Sequence, residues 1–403
     1  MSVVKDAEIV IARGEGAYIW DEQGNRYLDG LASLWYANVG HGRKEIADAV
    51  VAQMAQLETF HTMFQFANRP ALDLCERVSA LAPLEDAKVF LTSGGSDAID
   101  AAGKLVRRYW HAMDKPEKRT IISRERAYHG LHILGTSVTG LHVNREGLGP
   151  LLADTAQVGT NESDDVQAVV DRLGADAVGA YIAEPIVGSG GVIHPAPGYF
   201  EAVQQICRDN DILFIADEVI TGFGRTGEWF GSQRLGLAPD MVTTAKGLSS
   251  GYLPIGGVIV SKRVWEPFWE DGTDLIFRHG LTYAGHATAC AAALANLDII
   301  EREDLIGRVR QLESVLAGAL RPLESHELVG EVRAGIGLLA GIALRDHPTA
   351  VSVVERCLAK GVMIRPLPDG VLGISPPFVI TEEDIAFLAE VIAAALDDEA
   401  RAA

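Results

Sequence analysis

The chain has 403 residues, of which 35 are basic and 55 acidic, so its formal net charge at pH 7 is −20. This length exceeds the roughly 250–300 residues at which a single hydrophobic core stops growing, and we therefore expect two packed lobes. The acidic balance disfavours nucleic acids and anionic membrane surfaces as partners. The N-terminal residues show no basic region followed by an apolar core, and no apolar run approaches ~18 residues, so we expect a cytoplasmic protein.

The four cysteines do not form a recognisable cluster. Cys75, Cys207, Cys290 and Cys357 are far apart in sequence, and none belongs to a C-x-x-C pair. This spacing gives little support to a zinc site or a disulfide framework, and it is typical of a protein from a reducing compartment. We predict that they are structural thiols, because free cysteine is usually buried.

Short apolar runs alternate with helical patterns from about residue 70 to residue 290. This alternation predicts an α/β fold with a mostly parallel central sheet that helices cover on both faces. The predicted strands are 88–92, 120–122, 177–183, 212–216, 241–245 and 256–260.

The regions on either side differ from this alternation. Residues 1–45 are rich in turns and are predicted to form an N-terminal arm that is part of a small lobe, followed by a large domain over 46–290. Residues 291–403 begin with a long helical stretch over 291–317 and end with a helix over 382–396, with short strands between them. We expect this C-terminal domain to be a smaller α+β lobe.

One lysine and one aspartate follow predicted strands and indicate the chemistry. Lys246 lies beside small residues and a glycine, where a lysine can have a lowered pKa and act as an amine nucleophile towards carbonyls. Asp217 ends the apolar run 212–216 and could face the ring nitrogen of pyridoxal phosphate, whose enzymes pair a lysine Schiff base with an acidic partner. Together they favour an enzyme that uses this cofactor as an electron sink.

A glycine-rich turn follows the first predicted strand and opens a helix that runs to about Trp110. Small residues at this turn, among them Gly95 and Ser96, would let backbone N–H groups and the helix dipole meet a phosphate. An ordinary glycine turn with Ser96 as the N-cap explains the same residues. The lysine shifts the balance towards the phosphate.

Four more polar or aromatic residues follow predicted strands. Tyr128 could stack on a flat cofactor or simply pack in the core. His129 and His132 are three residues apart and could imitate a metal pair, but no third ligand lies within sequence reach, so we predict no metal site. Glu184 is either a hydrogen-bond partner of the site or a buried structural acid, and the sequence leaves both interpretations open.

Two motifs indicate rival enzymes. Residues 222–227 match G-x-G-x-x-G, with Asp240 near the offset of a ribose-binding acid, as in an NAD-dependent oxidoreductase. No apolar helix follows these glycines, and Asp240 precedes its strand whereas a ribose acid ends one. Residues 247–251 match the G-x-S-x-G of hydrolases, but Pro254 breaks the helix that this motif needs. The oxidoreductase remains a remote alternative.

The order of these motifs resembles that of the class III aminotransferases, from about residue 10 to the end of the chain. The segments that carry the resemblance are 92–97, 128–130, 217–219, 224–227 and 246–247. Segments 34–42, 227–231 and 246–256 look like the ω-amino acid and amine:pyruvate branch of that family. The resemblance implies a fold-type I enzyme dependent on pyridoxal phosphate (PLP). It also implies a homodimer with active sites at the subunit interface, or a tetramer built from it.

Carried over position by position, the resemblance assigns a role to each matching residue. Lys246 would hold the cofactor and shuttle a proton between substrate and cofactor, and Asp217 would keep the pyridine nitrogen protonated. The other cofactor-binding positions are Gly95 and Ser96 at the phosphate, Tyr128 and Val219 on the ring faces, His129, Glu184, and Thr282 reaching the partner subunit's phosphate. The family often has serine at 94 and glutamate at 97, where this chain has Gly94 and Asp97, so chiefly backbone contacts to phosphate are expected.

The resemblance narrows the substrate. Trp35 and Phe60 would line the substrate pocket. Ser189 stands where the ornithine and γ-aminobutyrate branches usually carry a glutamate that gates a carboxylate-binding arginine. Arg365 lies near the mobile arginine of the amine:pyruvate branch, although a solvated loop arginine would look the same. We expect transfer from an ω-amino acid or primary amine to a 2-oxo acid such as pyruvate, and the alternative is γ-aminobutyrate, a diamine or another donor with 2-oxoglutarate.

Overall fold

The computed structural model describes residues 8–402, so the N-terminal segment inspected above for a leader lies mostly outside it. The described chain divides into two compact units, a larger one over 45–306 and a smaller one made of 8–44 and 307–402. The boundary therefore falls after residue 306, whereas the sequence pattern placed it after residue 290. The difference arises because the helix Ala287–Arg302 packs against the helix Arg69–Leu81 of the larger unit.

The larger unit contains a seven-stranded sheet. Its strands are, in spatial order, Lys88–Thr92, Gly256–Val260, Met241–Thr244, Leu213–Asp217, Val178–Ala183, Thr120–Arg124 and Thr155–Val158. Neighbours are parallel except at Gly256–Val260, which runs antiparallel to both of its neighbours. The expectation of a mostly parallel central sheet is therefore confirmed.

Helices cover both faces of this sheet. Successive strand residues face opposite sides, so Ile182 belongs to one buried cluster with Ala102 of the helix Gly95–Ala112, whereas Tyr181 belongs to a second cluster with Phe200. The remaining helices of the unit, four residues or longer, are Lys44–Gln56, Arg69–Leu81, Ile133–Val138, Ser163–Leu173, Tyr199–Asp209, Gly231–Leu235, Lys262–Trp265 and Ala287–Arg302.

The smaller unit has two four-stranded sheets. One contains Ile11–Glu15, Tyr18–Asp21, Arg26–Asp29 and Val362–Met363, and the other Val329–Arg333, Ala340–Leu344, Val371–Ile374 and Arg365–Leu367. Its α-helices are Leu305–Leu320, which starts at the boundary, Thr349–Ala359 and Glu382–Ala402. The four-residue segment Ala32–Trp35 forms an irregular loop, because the backbone angles of Ser33 and Leu34 are not helical.

The structure of the smaller unit, and of the helices that lead into it, differs from the sequence expectations in two places. The N-terminal arm is a β-meander, because its short strands pair with one another and with Val362–Met363. The single helical stretch expected over 291–317 is two helices, and Asp304, at a φ of 46°, lies in the break between them. None of the helices over residues 8–402 combines the length and the apolar character that a bilayer crossing needs.

Candidate active site

Lys246 begins a short 3₁₀ turn, Lys246–Leu248, directly after the strand Met241–Thr244. Its φ is 38°, an unusual backbone conformation for a non-glycine residue and one that often marks functional sites. The side chain of Asn296 holds the turn, because its amide donates to the carbonyls of Gly247 at 2.9 Å and Leu248 at 3.0 Å. The lysine is partly buried and lies at the carboxyl edge of the sheet. In α/β folds this edge is where ligands bind.

Asp217 ends the adjacent strand and is almost completely buried, with 4% of its surface exposed. Its Oδ2 accepts a hydrogen bond from Nδ1 of His129 at 2.7 Å, and its Oδ1 accepts from the Val219 N–H and the Thr243 hydroxyl, both at 3.1 Å. Because a carboxylate only accepts, the ring of His129 donates from Nδ1. These three donors fix one buried carboxylate beside the lysine strand.

Glu184 directly follows the next strand, Val178–Ala183, and is also buried. Its carboxylate accepts from the backbone N–H groups of Tyr128 at 3.0 Å and Gly188 at 2.8 Å. Burial is the main cause that raises the pKa of this carboxyl, and the charge of nearby His129 opposes the shift. Glu184 therefore fixes the backbone of Tyr128, and it is both buried and hydrogen-bonded, so its role at a cofactor stays a prediction.

Gly95 and Ser96 form the first turn of an 18-residue helix, Gly95–Ala112. The first N–H groups of a helix have no intrahelical acceptor, so they and the helix dipole favour an anion. The Ser96 hydroxyl accepts from the Leu131 N–H at 3.2 Å, which links this turn to the Tyr128 segment. A Cβ on Gly95 would lie 3.1 Å from the side chain of Val219, so a side chain at residue 95 would crowd that valine.

These residues fit PLP group by group. Lys246 offers an amine, Asp217 a buried acid and the turn at Gly95 an anion site, while Tyr128 and Val219 are only partly buried and so leave apolar surface accessible. In addition, Nε2 of the neighbouring His129 is buried and has no hydrogen-bond partner among residues 8–402. When bound, PLP takes up the electron pair released at the substrate carbon, for which a protonated ring nitrogen is needed.

The remaining predicted residues lie elsewhere. In the larger unit, Phe60 is 44% exposed and stacks on His61, with ring centroids 4.6 Å apart, and Thr282 is exposed. In the smaller unit, the Arg365 guanidinium lies 5.4 Å from the ring centroid of buried Trp35. These four positions were predicted for substrate or partner contacts, and their roles stay predictions.

Two residues of the site were not singled out from the sequence. Thr243 lies opposite Asp217 in the sheet register, a pairing that only the strand order shows. Arg124 ends its strand fully buried and donates to the carbonyl of Glu184, with its guanidinium 5.3 Å from the Phe200 ring centroid. Arg124 lies two residues beyond the strand predicted over 120–122, so no signal in the sequence indicated that this arginine is buried.

The glycine-rich segment that matched a nicotinamide-binding motif has a different structural role. The segment 222–227 forms a turn with no helix, beside the buried carboxylate of Glu218, which accepts from the N–H groups of Gly231 at 2.8 Å and Ser232 at 2.6 Å. Asp240 accepts from the backbone N–H of Phe214 at 2.8 Å, before its strand begins, so it holds two strands together. The nicotinamide alternative is therefore wrong.

The segment 247–251 and the two histidines also differ from the arrangements that a hydrolase elbow and a metal site need. A 3₁₀ turn and further turns, not a helix, follow the strand before 247–251. His132 lies 3.4 Å from Asp97, while His129 faces Asp217. Within residues 8–402, no three or more His, Cys, Asp or Glu side chains are grouped so that they could hold a metal ion.

The comparisons with known proteins agree on one family. The family model for aminotransferase class-III matches residues 2–396. The chain is 38% identical to a putrescine–pyruvate aminotransferase of Pseudomonas aeruginosa, over 98% of this chain and 91% of that protein. It is 37% identical to a diaminobutyrate–2-oxoglutarate transaminase of Halomonas elongata, over 93% and 87% of the two chains.

A solved structure shows the same fold. The PLP-bound amine transaminase of an uncultivated Pseudomonas species superposes with a TM-score of 0.95 at 36% identity, covering 99% of this chain and 96% of that one. The family match spans nearly the whole chain, and the larger unit presents a lysine, a buried acid and an anion-binding turn along one sheet edge. The chain belongs to the class III aminotransferases, and it is a PLP-dependent transaminase of fold type I.

Proposed function

We propose that this transaminase moves an amino group from a primary amine or ω-amino acid to a 2-oxo acid such as pyruvate. The observation that carries the proposal is the exposed guanidinium of Arg365 over the ring of Trp35. A guanidinium binds a carboxylate with two parallel hydrogen bonds, which every 2-oxo acid can accept. The relative from Pseudomonas aeruginosa, named for putrescine and pyruvate, supports the same pair of substrate classes.

The larger unit supplies the proposed catalytic groups. Lys246 would carry the proton to and from the substrate carbon, and Asp217 would hold positive charge on the cofactor's ring nitrogen. His129, Glu184 and the first turn of Gly95–Ala112 would bind and orient the cofactor. Each of these assignments rests on the contacts described above and on the matching family motifs.

Arg365 must serve both half-reactions. An uncharged donor has no carboxylate, so the guanidinium should move aside and leave the ring of Trp35 to contact the donor. Ser189 supports this, since a serine cannot form the ion pair by which a glutamate would hold the arginine. Cation–π contact at a partly exposed site contributes only about 0.5–1 kcal/mol, which is weak enough to break on binding.

Replacing Arg365 with alanine should separate the two substrates. We expect KM for pyruvate to rise about tenfold or more, while KM for an amine without a carboxylate changes little, the pattern of lost ground-state binding. Steady-state kinetics with both substrates varied measures this. Arg345→Ala, which removes an exposed arginine bonded to the Glu327 carbonyl, is the matched control and should leave both constants unchanged. Equal losses for both substrates would identify a structural role for Arg365.

A second acceptor has some support. The Halomonas elongata relative is named for 2-oxoglutarate, which carries an additional carboxylate. A screen of amine donors against pyruvate and 2-oxoglutarate, read by formation of alanine or glutamate, distinguishes the two. Preference for 2-oxoglutarate would require a second cation near the proposed site.

We also propose a cytoplasmic location, which is supported by four cysteines that are all free thiols.

We further propose a homodimer. The segment 60–66 exposes Phe60, Met63, Phe64 and Phe66, with Phe64 93% exposed, and such apolar patches mark interaction sites. Asn68 donates to the carbonyls of Phe60 at 3.2 Å and Gly285 at 2.8 Å, so this patch and the Thr282 segment form one surface. If that surface reaches a partner subunit, Phe60 and Thr282 reach it together.

Mixed dimers test whether Thr282 acts across the interface. Lys246→Ala and Thr282→Asp chains should each be inactive, the second because its carboxylate repels the cofactor phosphate. Heterodimers should regain activity, because one site then combines an intact Lys246 with the partner's intact threonine. Thr282→Ser is the control that should stay active on its own. If re-paired heterodimers remain inactive, Thr282 serves its own chain's site or only folding.

A further inference from the structure

The loop that carries Trp35 has a strained backbone. Three of its non-glycine residues lie at positive φ, Ala32 at 47°, Ser33 at 58° and Trp35 at 62°. The ψ of Ser33 is −85°, which brings it close to the rare, strained form of the γ-turn. Such conformations persist only where the surroundings hold them, and they gather at ligand-binding and active sites.

Asp29 holds this loop. It is fully buried at the end of its strand. Its Oδ1 accepts from the N–H of Leu31 at 3.1 Å, and its Oδ2 accepts from the N–H of Ser33 at 2.7 Å and from Nε2 of His41 at 2.8 Å. Two of the three donors are backbone groups of the strained loop, and His41 fixes the carboxylate from outside the loop.

His41 is fixed in turn by the N-terminal strands. Its backbone exchanges two hydrogen bonds with Gly16, at 2.9 and 3.0 Å. A Cβ on Gly14 would lie only 2.7 Å from the Cβ of His41, so the chain needs glycine there to make room for the histidine. The position of the imidazole is therefore set by the sheet rather than by the loop that it supports.

The strand Arg26–Asp29, which ends at Asp29, also helps to place Arg365. This strand pairs in parallel with Val362–Met363. Met363 stands opposite Asp29 in that pairing and lies two residues before Arg365. The carbonyl of Met363 accepts from the Gly30 N–H at 2.9 Å, and a Cβ at residue 30 would lie 2.8 Å from that oxygen. The position directly after Asp29 thus anchors the chain that leads to the guanidinium.

We infer that Asp29 is a positioning residue for substrate recognition, which acts through Trp35 on Arg365. The carboxylate fixes the loop, the loop presents the ring, and the ring supports the guanidinium at 5.4 Å. Asp29 and His41 contact no substrate in this arrangement. The inference rests on the proposed function, because it takes Arg365 as the group that binds the carboxylate.

Kinetics on two acceptors test the inference, with one amine donor held fixed. Pyruvate has a carboxylate and acetaldehyde lacks one. In the parent, Oδ1 and Oδ2 of Asp29 each accept a hydrogen bond from a backbone N–H of the loop. In Asp29→Asn the side chain has only one oxygen, so one of these N–H groups faces an amide NH₂ instead. We expect KM for pyruvate to rise about tenfold, the size of a lost hydrogen bond to a charged group. KM for acetaldehyde should stay unchanged, because this acceptor has no carboxylate for Arg365 to bind.

Asp21→Asn is the matched control. Asp21 lies in the same sheet, is 6% exposed, and accepts three hydrogen bonds of 2.8 Å from Asn25 and Tyr27, none of them in the strained loop. The Asp21→Asn variant should lose about as much stability as Asp29→Asn, but its KM for pyruvate should not rise relative to its KM for acetaldehyde. Rescue provides a second check, because His41→Gln keeps an N–H donor and should behave like the parent, whereas His41→Leu should resemble Asp29→Asn.

Two further comparisons show whether the effect passes through Trp35 and Arg365. In an Arg365→Ala background, Asp29→Asn should cause no additional rise in KM for pyruvate. In the cofactor-free protein, Asp29→Asn should change the near-ultraviolet circular dichroism, and this change should vanish when Trp35 is already phenylalanine.

Several outcomes would overturn the inference. The first is that Asp29→Asn weakens the kinetics with pyruvate and acetaldehyde equally, as the Asp21→Asn control does. The second is that Asp29→Asn raises KM for pyruvate further when Arg365 is already alanine. The third is that the dichroism change persists when Trp35 is phenylalanine. If Arg365→Ala alone affects pyruvate and acetaldehyde alike, the proposed function fails instead. The dichroism comparison then still decides whether Asp29 positions Trp35.

Discussion

Purified Lys246→Ala protein is expected to lack the visible chromophore of the parent and to lose transamination, with turnover lower by on the order of a thousandfold or more. Alanine can neither bind the cofactor aldehyde covalently nor move the substrate proton. The absorbance spectrum and single-turnover kinetics measure the two losses. Far-ultraviolet circular dichroism should match the parent, since the amide of Asn296 holds the turn at residue 246 through two backbone carbonyls.

Lys118 provides the matched control for this prediction. It is 2% exposed, and burial is the main cause that lowers its pKa, which makes it a second amine to test for carbonyl chemistry. Its Nζ donates to the carbonyls of Ala175 at 2.7 Å and Asn210 at 3.2 Å, at the amino ends of the parallel strands. Lys118→Met should therefore keep the chromophore, although it loses stability. A chromophore that survives Lys246→Ala and disappears in Lys118→Met would reverse the assignment.

Asp217→Asn is expected to leave a folded protein that binds the cofactor more weakly and turns over roughly a hundredfold more slowly, or worse. A neutral amide cannot hold charge on the pyridine nitrogen. It also replaces one oxygen with an NH₂ group, while His129, Thr243 and the backbone of Val219 all donate to this side chain. The measurement is turnover at saturating cofactor, with cofactor affinity determined separately.

Asp240→Asn makes the same chemical change at the opposite edge of the sheet. Asp240 is partly buried and accepts from the Phe214 N–H at 2.8 Å, so its loss should lower stability but not turnover per folded molecule. Near-normal turnover of Asp217→Asn would mean that another acid faces the ring, and Glu184 would be the first to examine.

The central sheet could be predicted because its strands are buried on both faces and therefore form continuous apolar runs. The strand Thr155–Val158 escaped prediction for the converse reason. It lies at the edge of the sheet, pairs on one side only, and alternates polar with apolar residues. Its short length gave the periodicity too few residues to be distinguished from a loop.

The site was predictable where its chemistry depends on residue type at a strand end, as for Lys246 and Asp217. It was not predictable where the role depends on which strands are neighbours. Thr243 reaches Asp217 only because the two strands are adjacent, and Asp29 supports residue 33 only because the backbone between them turns unusually. Sequence periodicity contains no information about either.

The smaller unit is built from both ends of the chain, and this has a consequence for its synthesis. Leu28 emerges early from the ribosome, but its parallel partner Val362 is made 334 residues later. At about 5–20 residues per second, the interval is on the order of half a minute, long enough for a domain to fold during translation. The larger unit is complete in sequence before the partner strand exists, so the loop of Trp35 acquires its last support only near the end of translation.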